Sequence, residues 1–252
     1  MATRTNLTFL TIAVMLFFAS CNQPAATETT DTGAEETTEE TTETMAATSI
    51  WDAAFTASMV ADEPGTPMAA PKGATTYAVD AGNSKMYWRG TKPTGTHDGT
   101  INVSGGQFMV ADGKVVGGMV EIDMTTIANV DLAADEEKKA QLEGHLKSPD
   151  FFNVAEHPKA MLEVTKLEAG EGENNYNVSG NLTIKGITHE VTFPAMMMME
   201  EGKMMAKANF KLDRSKWNVT FGSKSFPELL GEVVVSDDMD IVLDLQAMTA
   251  TE

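Results

Sequence analysis

Gln107-Phe108-Met109-Val110-Ala111-Asp112-Gly113-Lys114-Val115-Val116-Gly117-Gly118-Met119-Val120-Glu121-Ile122-Asp123-Met124 decides the fold. Asp-Gly between two apolar-rich arms is a strong signal for a two-residue hairpin turn. The second arm puts Val120, Ile122 and Met124 on one face and Glu121 and Asp123 on the other. Period-2 alternation of this kind describes a strand with one apolar and one wet face.

The same period runs through the rest of the domain. Met86 and Trp88 alternate with Lys85, Tyr87 and Arg89, and Ile101 and Val103 with Asn102 and Ser104. Leu162 and Val164 alternate with Glu163 and Thr165, and Tyr176, Val178, Gly180, Leu182 and Ile184 share a face. Lys185-Gly186 turns into a strand carrying Val191 and Phe193. Ala206, Ala208, Phe210 and Leu212 oppose Lys207, Asn209 and Lys211. Met239, Ile241, Leu243 and Leu245 close the set against Asp238, Asp240, Asp244 and Gln246.

About eight strands joined mostly in sequence predict an all-β, antiparallel up-and-down barrel, with a sandwich as the alternative. Asp135 to Lys147 is the one helical segment of the domain, with acids at its start, bases near its end and Leu142 and Leu146 on one face. It stops at Ser148-Pro149, because the residue before a proline disfavours helix. Gly118, Val120, Val178, Gly180, Ala206 and Ala208 are small for an apolar face, which favours a cavity over a filled core.

The chain before the barrel reads in three parts. Residues 1–20 carry Arg4, an apolar run from Leu7 to Phe18 and small residues before Cys21, the pattern of a secretory signal peptide. That run is shorter than the ~20 apolar residues a membrane-spanning helix needs. Leu16-Phe17-Phe18-Ala19-Ser20-Cys21 resembles the lipobox of bacterial lipoproteins, with Phe18 where leucine is commoner. The resemblance implies cleavage before Cys21 and acylation of the one cysteine in the chain; an ordinary signal peptide with an incidental cysteine is the alternative. Asn22 is not the aspartate that commonly holds lipoproteins at an inner membrane, so the resemblance implies the outer membrane, facing the periplasm.

Residues 21–76 read as a tether. Asn22 to Thr44 is Thr, Glu, Ala, Pro and Gly with no apolar side chain larger than alanine, too little to offset the entropy of ordering. Within it, Trp51, Phe55 and Met59 share a helical face, and Ser49 with Asp52 resembles a capping box, so a short helix is expected over 49–59. The barrel is expected over 77–247, with a tail at 248–252.

Several runs together resemble signatures of the YceI family of polyisoprenoid-binding proteins. They are Leu142-Glu143-Gly144-His145-Leu146-Lys147-Ser148-Pro149-Asp150-Phe151-Phe152, with Pro158 after it, and Gly180-Asn181-Leu182-Thr183-Ile184-Lys185-Gly186-Ile187-Thr188. The third is Asp213-Arg214-Ser215-Lys216-Trp217 with Phe221-Gly222-Ser223. Tyr77, Asp80, Ser84 and Trp88 match the opening strand, with Asn83 in place of a usual histidine, and Leu230-Gly231-Glu232 departs from a Leu-Gly-Asp pattern. The resemblance implies a lipocalin-like barrel that takes a long isoprenoid tail, of a quinone or a polyprenyl phosphate. The ligand-lining set it implies is Trp88, Phe108, Val120, Ile122, Val178, Leu182, Phe193, Ala208, Phe210, Arg214 and Trp217. His145, Lys147 and Asp150 are expected to cap the helix end, with contact to a polar head group as the alternative; for Arg214 the choice is between a rim salt bridge and a head-group oxygen.

Composition sets the remaining bounds. A net charge of −19 disfavours nucleic acid, where basic patches supply affinity. Burying hydrocarbon, at ~0.8 kcal/mol per CH₂, requires no catalytic machinery. The four histidines lack metal-ligand spacing, and no G-x-S-x-G elbow or P-loop is present. The expectation is therefore a carrier, store or sensor without catalysis, metal or cofactor other than the bound lipid. A partner-binding lipoprotein with a filled barrel, a lipid-acting enzyme and a homodimeric assembly remain open. Met196 to Met199 and Met204-Met205 form a thioether-rich hairpin; thioethers suit Cu(I), but alternation splits the cluster between two faces, so adaptable apolar filler is the favoured reading.

Overall fold

The computed structural model describes residues 49–227 and 233–250. The signal segment 1–20, Cys21, the acidic stretch through 48 and Leu230-Gly231-Glu232 lie outside the described residues.

Eleven strands form one sheet: β1 (Thr56–Ala57), β2 (Met59–Val60), β3 (Thr75–Val79), β4 (Lys85–Lys92), β5 (Gly95–Ala111), β6 (Lys114–Asn129), β7 (Lys159–Ala169), β8 (Asn175–Ile184), β9 (Ile187–Glu200), β10 (Lys203–Asp213) and β11 (Asp238–Thr249). From β4 to β11 each strand pairs antiparallel with the next, and β11 returns to β3 and β4. Both β3 and β4 lie between β11 and β5, so together they fill one position. The result is a closed eight-stranded antiparallel barrel.

Local chemistry explains the turns. Asp112-Gly113 has φ of 50° and 71°, and Lys185-Gly186 has 50° and 73°. Two consecutive left-handed residues are what a two-residue hairpin needs to match strand twist. Strand alternation then sends Val120, Ile122, Val178, Leu182, Phe210 and Ile241 inward.

The helix α1 (Glu136–Lys147) lies between β6 and β7. Asp135 caps it, accepting the Lys138 N–H at 3.1 Å, and the Ser148 N–H closes it on the His145 carbonyl. A 3₁₀ turn, Arg214–Trp217, follows β10, with Asp213 accepting from the Ser215 amide and hydroxyl.

The helix expected over 49–59 is not formed. Asp52 accepts the Ser49 N–H at 2.9 Å, as in a capping box, and the chain then extends. The reason lies in the barrel wall. β9 and β10 pair only from Ala195–Ala208 to Glu200–Lys203, and beyond that point they part. β1 pairs with Phe210 and Lys211 of β10, and β2 with Val191 and Thr192 of β9. Strand backbone without a partner is a strong template, and it recruits this segment in place of helix. The segment continues as a strap. Asn181 of β8 bonds both the N–H and C=O of Gly65, at 2.7 and 2.9 Å, and the Met68 N–H reaches the Val164 carbonyl of β7 at 3.0 Å.

Candidate functional site

One large cavity, about 220 Å³, occupies the end of the barrel beside α1. Its wall is built by inward positions of successive strands: Met86 and Trp88 from β4, Ile122 and Met124 from β6, Leu182 and Ile184 from β8, and Met239, Ile241 and Leu243 from β11. Leu142 and Leu146 of α1, with Phe151 and Phe152 after it, roof the space. His145 meets Phe151 and Phe221 edge-on, with ring centroids 4.9 and 4.6 Å apart, and so ties the roof to the loop after the 3₁₀ turn.

The sequence-derived residues separate into three groups. Trp88, Ile122, Leu182, Phe193, Phe210 and Arg214 line this cavity. Phe108, Val120, Val178 and Ala208 instead surround a second void of about 30 Å³ deeper in the barrel, which Phe193 also lines. Trp217 lines neither; it is fully buried and donates its indole N–H to the Leu182 carbonyl at 3.0 Å.

The expectation that small inward residues leave room for a ligand is corrected by their neighbours. A side chain on Gly118 would run into the Phe108 ring, and one on Gly180 into Leu162 and the Glu163 carbonyl. The space these glycines give up is taken by adjacent large residues, and the open volume lies among bulky ones.

Arg214 is 2% exposed and acts as a clasp. Its guanidinium donates to the carbonyls of Ser236 (2.9 Å), Val219 (2.5 Å), Phe221 (2.9 Å) and Val235 (3.2 Å), tying together two loops at the mouth. Burial lowers its pKa, and Asp237, 3.7 Å away, opposes that. With its donors spent on backbone, it is neither an exposed rim bridge nor a free head-group ligand. Burial pushes the Asp237 carboxyl up, but the Ser223 and Ser225 hydroxyls and Arg214 outweigh it, and the net shift is downward.

Trp88 is the exception to a satisfied site. It is 6% exposed and its indole N–H has no partner. It packs over Gly99 of β5, where any larger residue would clash with the ring. A buried donor left without an acceptor is costly and calls for a partner.

The mouth carries polar groups that sequence reasoning missed. Thr91, Lys92, His97 and Ser236 line it. His97 Nδ1 lies 2.9 Å from Asp131, and the Lys92 ammonium 3.2 Å from His97 Nε2. Burial works against the Asp131 charge, yet hydrogen bonds from the Asp98 amide, His97 and Asn129 leave its pKa lowered. The signal was present: carrying the period-2 pattern forward from Trp88 gives Gly90 and Lys92, and carrying it back from Ile101 gives Gly99 and His97. His145 lies 3.6 Å from Asp150, beside the Ser148 helix end.

Among the described residues, no group of three or more His, Cys, Asp or Glu is placed to hold a metal. The methionines divide by strand face. Met197 and Met204 are buried inward, while Met196 and Met248 are exposed.

The sequence model of the YceI-like domain family matches residues 77–247. A UPF0312 protein of Azotobacter vinelandii is 31% identical over 102 residues, 40% of this chain and 50% of the relative. A UPF0312 protein of Shewanella denitrificans is 31% identical over 97 residues, 38% of this chain and 47% of the relative. The aligned stretch thus spans about half the length of these curated relatives. Burkholderia cenocepacia BcnA superposes with a TM-score of 0.53 at 25% identity, covering 69% of this chain and 99% of BcnA. A polyisoprenoid binding domain from Saccharophagus degradans, implicated in plant cell wall breakdown, superposes with a TM-score of 0.52 at 16% identity, covering 70% of this chain and 99% of that one. The second likeness is one of fold.

Proposed function

The chain belongs to the YceI-like domain family, and from that premise we propose that it is an envelope lipoprotein that holds an isoprenoid lipid inside its barrel as a carrier, store or sensor. The observation that carries this reading is the 220 Å³ apolar cavity, walled by strands and roofed by α1 and its aromatic turn. Such a space suits a hydrocarbon tail, since each methylene moved out of water contributes ~0.8 kcal/mol. A few convergent polar groups then orient the ligand. Here these are Lys92 and His97 at the mouth and the unpartnered Trp88 N–H within. A carbonyl or hydroxyl oxygen of a quinone or prenol head group answers the Trp88 donor. A phosphate answers Lys92.

The anchor is Cys21, acylated after removal of residues 1–20, and the acidic stretch that follows gives the barrel reach from an outer-membrane leaflet facing the periplasm. The reading calls for no catalytic step. Two measurements on the native full chain test it. Solvent extraction followed by mass spectrometry should release a prenyl lipid, and a barrel that releases none would favour a partner-binding protein. Cys21→Ser should leave the membrane pellet for the soluble fraction; persistence of the variant in carbonate-washed membranes would contradict lipid anchoring.

A further inference from the structure

The interior of the barrel is divided. Leu162, Phe193 and Leu243 line both the 220 Å³ cavity and the 30 Å³ void beneath it. Phe210 stacks on Phe193 with ring centroids 4.3 Å apart and planes 15° from parallel. The two rings come from β9 and β10 at the place where those strands part. On the outside of the same seam, β1 and β2 hold Phe210 and Val191–Thr192 by backbone pairing. The floor is therefore braced from behind and is part of the wall, unlike a loose side chain in a pore.

Along β11 the upper cavity runs from Met239 to Leu243, four residues or about 13 Å of strand. Leu245 and the small void lie below it. The open space ends about midway down that strand. A cavity of this volume holds on the order of 15–20 water-sized groups, and a methylene is about the size of a water molecule.

We propose that the stacked Phe193–Phe210 pair is a length ruler, and that the barrel selects prenyl lipids of about three to four isoprene units over tails long enough to thread it end to end. This rests on the lipid-binding reading above and adds its selectivity. A longer tail must either displace the stacked pair and the seam it sits in or leave hydrocarbon in water at the mouth. Either route removes the gain from the extra carbons.

The full chain, stripped of lipid, is offered farnesol, geranylgeraniol and octaprenol together in detergent micelles, and the bound species are read by native mass spectrometry. The parent should take farnesol and geranylgeraniol at least tenfold over octaprenol. Phe193→Ala joins the two voids and should move that preference at least tenfold toward octaprenol while still accepting farnesol. Phe193→Leu, which keeps an apolar floor, should shift it part of the way and serves if the alanine variant does not fold. Phe193→Ala/Ala208→Phe returns an aromatic ring to the lower space and should restore the short preference. Octaprenol bound by the parent as readily as farnesol overturns the ruler, as does an unchanged length preference in folded Phe193 variants. Failure of the parent to bind any of the three removes the lipid-binding reading itself, and the ruler with it.

Discussion

Trp88 shows how one side chain joins packing to recognition. Gly99 gives its indole a seat, Ile241 flanks it across the β4–β11 ladder, and its N–H faces no acceptor in the protein. Trp88→Phe keeps most of the ring and deletes the donor. We expect affinity for a prenol or prenylquinone to fall by ~1–1.5 kcal/mol, the worth of one hydrogen bond. The thermal midpoint of the empty protein should hold or rise, because a buried unpaired donor is gone. Titration with a prenol beside its deoxygenated hydrocarbon checks this: only the oxygenated ligand should weaken. Arg214 is the opposite case, a charge whose work is internal. Its partner Asp237 has a depressed pKa, so the stabilisation is fully present above the ordinary carboxylate value of 3.8 and is lost as pH falls through the lower folded value. Asp237→Asn should therefore melt below the parent at pH 7, with the gap closing below about pH 4. A gap that stayed constant into acid would show that the charge of Asp237 contributes nothing. That an arginine belonged at this end was legible from the Asp213–Trp217 run. That its donors would face four carbonyls was not, since backbone acceptors carry no side-chain signature.

At the scale of elements, strand existence was legible because each strand has one dry face, and the turns because Asp112-Gly113 and Lys185-Gly186 must take left-handed backbone. The helix was legible from Asp135 and from Pro149. The strap was misread for a physical reason. Trp51 and Phe55 do stack, with centroids 5.9 Å apart, as the i,i+4 spacing suggests. But the local preference for helix is weak, and the unpaired backbone of β9 and β10 offers hydrogen bonds that a helix there would forgo. Only the non-local register of two distant strands shows that opening. Asn181 tests the account, because it lies on the outer face of β8 and is buried by the strap. Asn181→Ala removes both bonds to Gly65 and should cost ~1–3 kcal/mol. Hydrogen exchange should accelerate at Val191–Thr192 and Phe210–Lys211 as the strap loosens. Unaltered exchange there would mean the strap is held independently of Asn181.

For the molecule as a whole, the barrel is hollow at one end and packed at the other. Alternation identifies which residues face in, and it gave Trp88, Ile122, Leu182, Phe193 and Phe210 as cavity lining. It cannot say how far each neighbour leans, so Gly118 and Gly180 looked like open space when Phe108 and Leu162 occupy it. Ala160, a small residue that does face the open volume, sits on β7 beside Ile122 and is buried. The central claim, that this cavity is a lipid site, is tested by prenyl-lipid binding and thermal unfolding of Ala160→Trp beside the parent. In a filled core such an enlargement overpacks and costs ~1–3 kcal/mol; here the indole has the cavity to enter. The account predicts that the parent binds one prenyl lipid, that Ala160→Trp binds none, and that the two melt within a few degrees of each other. Lipid bound equally by both, or by neither with a steep fall in the variant's melting temperature, would contradict it.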